Sequence, residues 1–358
     1  MKEGKIYRII GCMSGTSLDG LDMAFCSFIK NKEKIIFRIE QAETLSYDRE
    51  WKSRLMKASS LPGRELFRLD HEFGKFLGER ILTFIKKHKL QPHFISSHGH
   101  TVFHEPSGGG SLQIGNGHNI TAITQVPVIC DFRNADIALG GQGAPLVPAG
   151  DEYLFPQYDY CLNLGGFSNI SFKEKGERRA YDICPVNTVI NDLAGKEGLE
   201  YDHNGDLARK GKPYPEMVHR LNSIDYYIKD YPKSLGREFL EKKFYPVLNE
   251  YNLPTADILA SIYMHIAEMI ASAIQKDTES SVLLTGGGAK NSYLTEKISE
   301  QTKADLVIPD DKIVDFKEAL IFAFLGILKI EKQNNCFASV TGAREDSCGG
   351  ILYGTFDG

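Results

Sequence analysis

Three stretches of this chain set glycines and hydroxyl or amide side chains directly after an apolar run. The first is IIGCMSGTSLDGLDMAFCSF, Ile9 to Phe28. Its turn offers glycines for close backbone approach, free N–H groups, hydroxyl donors and a carboxylate that can meet a metal or its water, which is what a polyphosphate needs. The second, YCLNLGGFSNISF from Tyr160, repeats the plan with Gly165, Gly166, Ser168 and Asn169. The third, LLTGGGAKN from Leu283 to Asn291, ends an apolar strand in three glycines and leads into a helix start, a place that favours negative charge. Phosphoryl transfer is the chemistry these turns share. None of them is a GxxxxGK[ST] loop. Turn formation alone would also account for each composition.

Other residues carry chemistry singly. SHGHTVFHEP sets His98, His100 and His104 in an HxHxxxH array, readable as metal ligands or as a strand-end loop that hydrogen-bonds a ligand. In DFRNAD, Asp131 and Arg133 alternate in a strand reading and so share a face. They make either an ion pair or a guanidinium fork offered to a carboxylate or sugar. In YDICPVN, Asp182 sits at a strand end beside a proline-fixed turn. Glu318 falls in the first turn of an apolar helix, where complementing the helix dipole is the plain explanation.

The elements that must hold these residues follow from periodicity. Both hairpins read as strand, turn, strand, and a further strand follows at KNKEKIIFRIEQAETL. Pro62 to Leu90 is a long helix with Leu66, Leu69, Phe73, Leu77, Ile81, Phe84 and Ile85 on one face. A short strand, Phe94 to Ser96, ends at SHGHT, and Leu112 to Phe132 reads as strand, helical turn, strand. Thr255 to Gln275 and Asp315 to Lys332 are helices, and a strand lies near the end. The glycine-rich stretch Gly140 to Gly150 is the first candidate for an interdomain crossing. Two hairpins, each opening half of the chain, suggest a duplicated architecture.

Bulk properties exclude several classes. The length of 358 residues suggests two domains. A net charge of −5 without a long basic block gives no support to a nucleic-acid or membrane partner. No window has the apolar length of a membrane span, and MKEGKIYRII is too charged for a signal peptide. Seven widely spaced cysteines without CxxC suit reduced thiols, so the expected compartment is cytoplasmic.

Taken in order, GCMSGTSLDGLD, SHGHTVFHEP, LQIGNG, DFRNADIALGGQGAPLVP, NLGGFSNIS, YDHNGDLARKGK, GREF, LLTGGGAKN, EALIFAFLG and SVTGA resemble the anhydro-N-acetylmuramic acid kinase family. This family belongs to the actin/hexokinase-like sugar kinases. The resemblance implies an α/β fold of two ribonuclease-H-like domains with ATP in the cleft between them. The expected division is 1–140, with 335–358 as a candidate completion, and 141–334. The implied reaction is ATP-dependent. Water opens the 1,6-anhydro ring of anhydro-N-acetylmuramic acid and O6 takes the γ-phosphoryl group, a step of cell-wall recycling.

Carried onto this chain, Gly15, Thr16, Ser17, Leu18, Asp19, Gly20, Leu21 and Asp22 match the first ATP-binding hairpin. Gly165, Gly166 and Asn169 match the second, and Gly286, Gly287, Gly288 and Asn291 match the nucleotide turn. Thr101, Arg133, Asn187 and Glu318 match sugar contacts, and Asp182 matches the general base. ATP and Mg²⁺ are the implied cofactors. Asp19 is the metal candidate, through water, with Asp182 as the alternative, and a homodimer is the implied assembly. The chain departs from the family pattern at DICPVN, where DTGPGN is usual, and at HGHT, where HGQT is usual. Side chains at Cys184 and Val186 would narrow backbone access to the phosphates. That departure keeps open a sugar-binding sensor, or a kinase for a related amino sugar, and the histidines keep open a metal-dependent hydrolase.

Overall fold

A computed structural model describes residues 1–15, 18–275 and 279–356, and divides them into two units. The first unit holds residues 1–155 and 316–358, and the second holds 156–315. Its crossings thus fall at Phe155–Pro156 and Asp315–Phe316, and the glycine-rich stretch from Gly140 lies inside the first unit.

The first unit opens as a meander of β1 (Ile6–Ser14), β2 (Gly20–Asn31) and β3 (Lys34–Ser46). Helices α1 (Arg49–Met56) and α2 (Gly63–His88) carry the chain to β4 (Phe94–Glu105). Then come β5 (Gly110–Ile114), α3 (Gly117–Thr124), β6 (Val128–Cys130), α4 (Asn134–Ala138) and α5 (Val147–Leu154). β1 pairs antiparallel with β2 and parallel with β4, and β4 pairs parallel with β6. The stripe on α2 packs Leu69, Phe73, Leu77, Ile81 and Phe84 onto Ile10, Cys12, Ile95 and Val128 of the sheet. Burying a ring such as Phe73, which is fully inaccessible, is worth about 3–5 kcal/mol against alanine.

The second unit repeats the plan. β7 (Tyr160–Leu164), β8 (Phe167–Glu174) and β9 (Glu177–Pro185) form a meander. A helical stretch follows: α6 (Asn187–Lys196), α7 (Pro215–Asn222), the short α8 (Arg237–Phe239) and α9 (Tyr245–Leu248), then α10 (Thr255–Ala273). β10 (Ser281–Thr285), α11 (Ser292–Glu300) and β11 (Asp305–Val307) complete it. Its core packs Leu162, Ile262, Ile266, Ile270 and Leu284.

α12 (Asp311–Ile330) bends at Phe316, where the chain returns to the first unit. There α13 (Ala338–Thr341) and β12 (Ile351–Tyr353, antiparallel to β6) finish the sheet. α12 lies against β1 so closely that a Cβ on Gly11 would sit 1.8 Å from the Ala319 carbonyl oxygen. Only glycine fits at that contact. The sheet orders are β12-β6-β4-β1-β2-β3, with β5 beside β4, and β11-β10-β7-β8-β9. From each meander outward, the first five strands of both follow one order, third, second and first of the meander and then two more, which is the ribonuclease-H-like arrangement, with β12 added at the far edge of the first sheet; the duplication expected from the two hairpins is present.

Candidate active site

In the first unit, the turn between β1 and β2 opens with Leu18 at φ 59° and its N–H on the Gly15 carbonyl, 3.3 Å away. Thr16 and Ser17 lie outside the described residues. Asp19 is exposed, and no partner reaches it among the described residues. Gly20 begins β2, the Leu21 side chain is buried in the core, and Asp22 accepts a 2.6 Å hydrogen bond from its cross-strand neighbour Thr44.

β4 runs to Glu105 and carries the whole SHGHT run, rather than stopping at Ser96. The reason is β5, which folds back on it and pairs His100 with Ile114. Thr101 accepts a hydrogen bond from Gln113 Nε2 at 3.2 Å. His100 faces Ser14 Oγ at 3.4 Å, and Ser14 Oγ accepts from Tyr47 at 2.7 Å. His98 points its Nδ1 at the Gly99 carbonyl, 2.9 Å away, so that nitrogen carries the proton. Its Nε2 then accepts from Arg133 Nε and Nη2, at 3.0 and 2.8 Å. With that lone pair taken, His98 is an orienting group for a guanidinium and not a metal ligand. Burial, then Arg133, hold His98 well below the usual histidine range, and burial lowers His100 to about 4. Both rings are neutral at pH 7.

Arg133 is not on a strand beside Asp131. β6 ends at Cys130, Asp131 turns the chain at φ 59°, and Arg133 caps α4. Of the two readings of this pair, the ion pair is not formed, and the shared strand face on which both rested is absent. Asp131 accepts from Asn134 at 2.7 Å, while Arg133 bonds His98 and the Gly143 carbonyl. Glu318 also departs from expectation. α12 starts at Asp311, so Glu318 lies past the bend and not in the first turn. Much of the residue is exposed, but its carboxyl lies close enough to its neighbours that lost hydration and then Asp22 raise its pKa, with Arg133 and Lys317 opposing. A carboxylate placed to complement a helix N-terminus would shift the other way.

In the second unit, strand register aligns four polar residues across the sheet: Thr285, Asn163, Asn169 and Asp182. Directly paired residues share a face. Asn163, two residues before the glycine pair, did not stand out in the sequence; its register with Asn169 and Asp182 is what singles it out. Gly286 has φ 82°, and a Cβ there would lie 2.6 Å from Asn163 Oδ1 and 2.9 Å from the Leu164 carbonyl. The turn Gly286–Gly288 therefore seats against Asn163 and Leu164, the end of β7 just before Gly165 and Gly166. Asn187 ties in through Nδ2 to the Leu164 carbonyl at 3.0 Å. Asn291 caps α11 by accepting from the Leu294 N–H at 3.1 Å, and donates to Tyr263 at 2.7 Å, so its side chain is engaged in the fold.

Asp182 is half-buried on β9. Its Oδ2 accepts from the Leu235 N–H at 2.8 Å, and no donor reaches Oδ1 among the described residues. Burial raises its pKa, and the Leu235 N–H partly offsets that. Cys184 and Val186 are fully inaccessible and pack into the core. Neither is among the nearest neighbours of a Cβ built on Gly165, Gly166 or Gly286 to Gly288, so the expected narrowing at those glycines gains no support. A shallow depression beside β5, lined by Phe103, Glu105, Ser111 and Asn134 among others, contains none of the expected site residues.

The model of the family described as anhydro-N-acetylmuramic acid kinase matches residues 7–355. The anhydro-N-acetylmuramic acid kinase of Sulfurimonas denitrificans is 33% identical, over 96% of this chain and 98% of its own length. That of Pasteurella multocida is 33% identical, over 99% and 98%. Solved structures that align include the ADPNP-bound activator of a 2-hydroxyisocaproyl-CoA dehydratase from Clostridium difficile (14% identity, 91% of this chain and 97% of that one, TM-score 0.43). A Streptomyces griseus ROK-family glucokinase with glucose and AMPPNP also aligns (9% identity, 89% and 98%, TM-score 0.39).

Proposed function

This chain belongs to the anhydro-N-acetylmuramic acid kinase family, and on that premise we propose how its residues carry out the reaction. The protein is an ATP-dependent sugar kinase. It converts 1,6-anhydro-N-acetylmuramic acid, ATP and water into N-acetylmuramic acid 6-phosphate and ADP. The observation that carries this reading is the family match from residue 7 to residue 355.

Asp182 acts as general base. With one oxygen fixed by Leu235, the other is left to take a proton from water as the water attacks the anomeric carbon. The carboxylate also offsets the positive charge that develops there. The bond between that carbon and O6 breaks, and O6 attacks the γ-phosphorus. Thr101, Arg133, Asn187 and Glu318 hold the sugar. His98 keeps the Arg133 fork in one orientation. The backbone of Gly15 to Asp22, of Gly165 and Gly166, and of Gly286 to Gly288 cradles the nucleotide with Asn169, and Asn291 ends that last turn. Phosphoryl transfer needs mainly positioning and charge neutralisation, to which bound Mg²⁺ contributes. The exposed Asp19 carboxylate, without a partner among the described residues, suits an ion held through water.

We place the activity in the cytoplasm, in peptidoglycan recycling, with the protein as a homodimer. No described helix is long and apolar enough to cross a membrane. Mass spectrometry after incubation with Mg²⁺, ATP and the anhydro sugar in ¹⁸O-labelled water tests the chemistry. The product should gain one phosphoryl group and one labelled oxygen. Unchanged sugar, with ATP still bound, would overturn the assignment.

A further inference from the structure

We propose that the irregular segment Tyr226–Leu235, between α7 and α8, is a strap that sets the position of the base. The proposal rests on the reading of Asp182 as that base. The strap grips residue 182 at three points. The Leu235 N–H donates to Oδ2 at 2.8 Å, the Asp182 N–H donates to the Lys233 carbonyl at 3.2 Å, and the Tyr226 hydroxyl donates to the Asp182 carbonyl at 2.6 Å. β9 is the edge strand of its sheet, so its outward backbone groups need partners, and the strap supplies them.

The strap is itself anchored. The Tyr231 ring stacks on Tyr181 at 5.5 Å and 3°, and its hydroxyl donates to Glu174 at 2.7 Å. The Tyr227 hydroxyl donates to His265 Nε2 at 3.0 Å. His265 Nδ1 faces Asn222 Oδ1 at 2.6 Å, an acceptor only, which fixes the proton on Nδ1. Lys233 closes the loop, donating to the carbonyls of Lys229, Tyr226 and Tyr227 and lying over the rings of Tyr181 and Tyr226.

One N–H on one oxygen does two things. It stops the carboxylate from rotating, and it leaves the second oxygen free for water. The titratable group that the strap brings against residue 182 is Tyr226, its pKa raised and its hydroxyl neutral at pH 7, while the Lys233 ammonium is turned onto carbonyls; on β9 itself the Tyr181 ring is stacked on Tyr231 and the Cys184 thiol lies against Ser168. Leu235 is therefore the strap donor that favours the ionised form.

The test is steady-state kinetics of Leu235→Pro, which removes that N–H. The expected result is a loss in kcat on the order of 10²-fold, with KM for ATP unchanged and the acid limb of kcat moved to higher pH. If this variant does not fold, Tyr231→Ala takes its place, with Tyr231→Phe as the conservative variant that keeps the stack and restores the rate. Asp182→Asn separates the two claims. If Asp182→Asn is inactive while folded Leu235→Pro or Tyr231→Ala keeps normal kcat and acid limb, the strap proposal falls and the base reading stands. If Asp182→Asn turns over normally, both fall.

Discussion

On the proposed reading, a half-buried carboxylate with no counter-ion among the described residues costs the fold some stability and serves the site as its base. Asp182→Asn separates the two effects. Turnover should fall by roughly 10²–10⁴-fold with ATP binding retained. Stability should change in the opposite direction. The pKa of Asp182 is raised on folding, chiefly by burial, so its charged form is disfavoured in the native state. That penalty is absent below the unfolded pKa and is present once pH rises through the folded one. The variant should therefore melt higher than the parent at pH 7–8 and equally at low pH, as read by calorimetry. His100 has the reverse sign. Its pKa is depressed to about 4, so the unfolded chain takes up a proton that the native state refuses. Stability is lost as pH falls from 6.5 toward 4, by roughly 3 kcal/mol at about 1.4 kcal/mol per pH unit. His100→Gln, which installs the side chain usual in the family, should flatten that limb of the melting curve. The resemblance pointed to Asp182 as a candidate base. Leu235, whose backbone N–H holds it, was not legible in the sequence, because an amide donor has no side-chain signature and lies far along the chain.

At the scale of elements, apolar periodicity located the long helices, and hairpin chemistry located both meanders. Errors arose where tertiary pairing or a local turn overrides a short pattern. β4 is longer than its apolar core because β5 continues the ladder. DFR looks like alternation, yet Asp131 adopts a left-handed conformation and sends Arg133 onto a helix. α12 begins at Asp311, upstream of its apolar stripe. The glycine turns were legible as turns. What hid was that Gly286 serves packing as well as backbone approach, since Asn163 and Leu164 fill the space where its Cβ would go. Gly286→Ala should cost about 1–3 kcal/mol from backbone strain alone and push this turn away from Asn163 and Leu164 at the end of β7. The expected readouts are a lower melting temperature and an ATP affinity weakened at least tenfold by calorimetry. Unchanged ATP affinity would separate this turn from the nucleotide.

For the whole molecule, a duplicated architecture was legible from two hairpins, but the crossings at Phe155–Pro156 and Asp315–Phe316 were not. The first sits in no run of glycine, serine or charge, and the second, though flanked by charged residues, falls inside a helix. Each unit has its own hydrophobic cluster. The second unit is one continuous segment, so residues 156–315 expressed alone should fold and melt cooperatively. A non-cooperative melt, with lost near-ultraviolet dichroism, would show that its core is not self-sufficient.

The first unit is not continuous, and this has a consequence for how the protein is made. Its sheet is covered by α12 and completed by β12, both from the last part of the chain. On the ribosome, the whole second unit is translated before those residues emerge. The N-terminal half must wait with an apolar sheet face open while its neighbour, synthesised later, is already able to fold. Early-made residues are thus the last to become native, and a nascent chain stalled before α12 is where chaperone binding should concentrate.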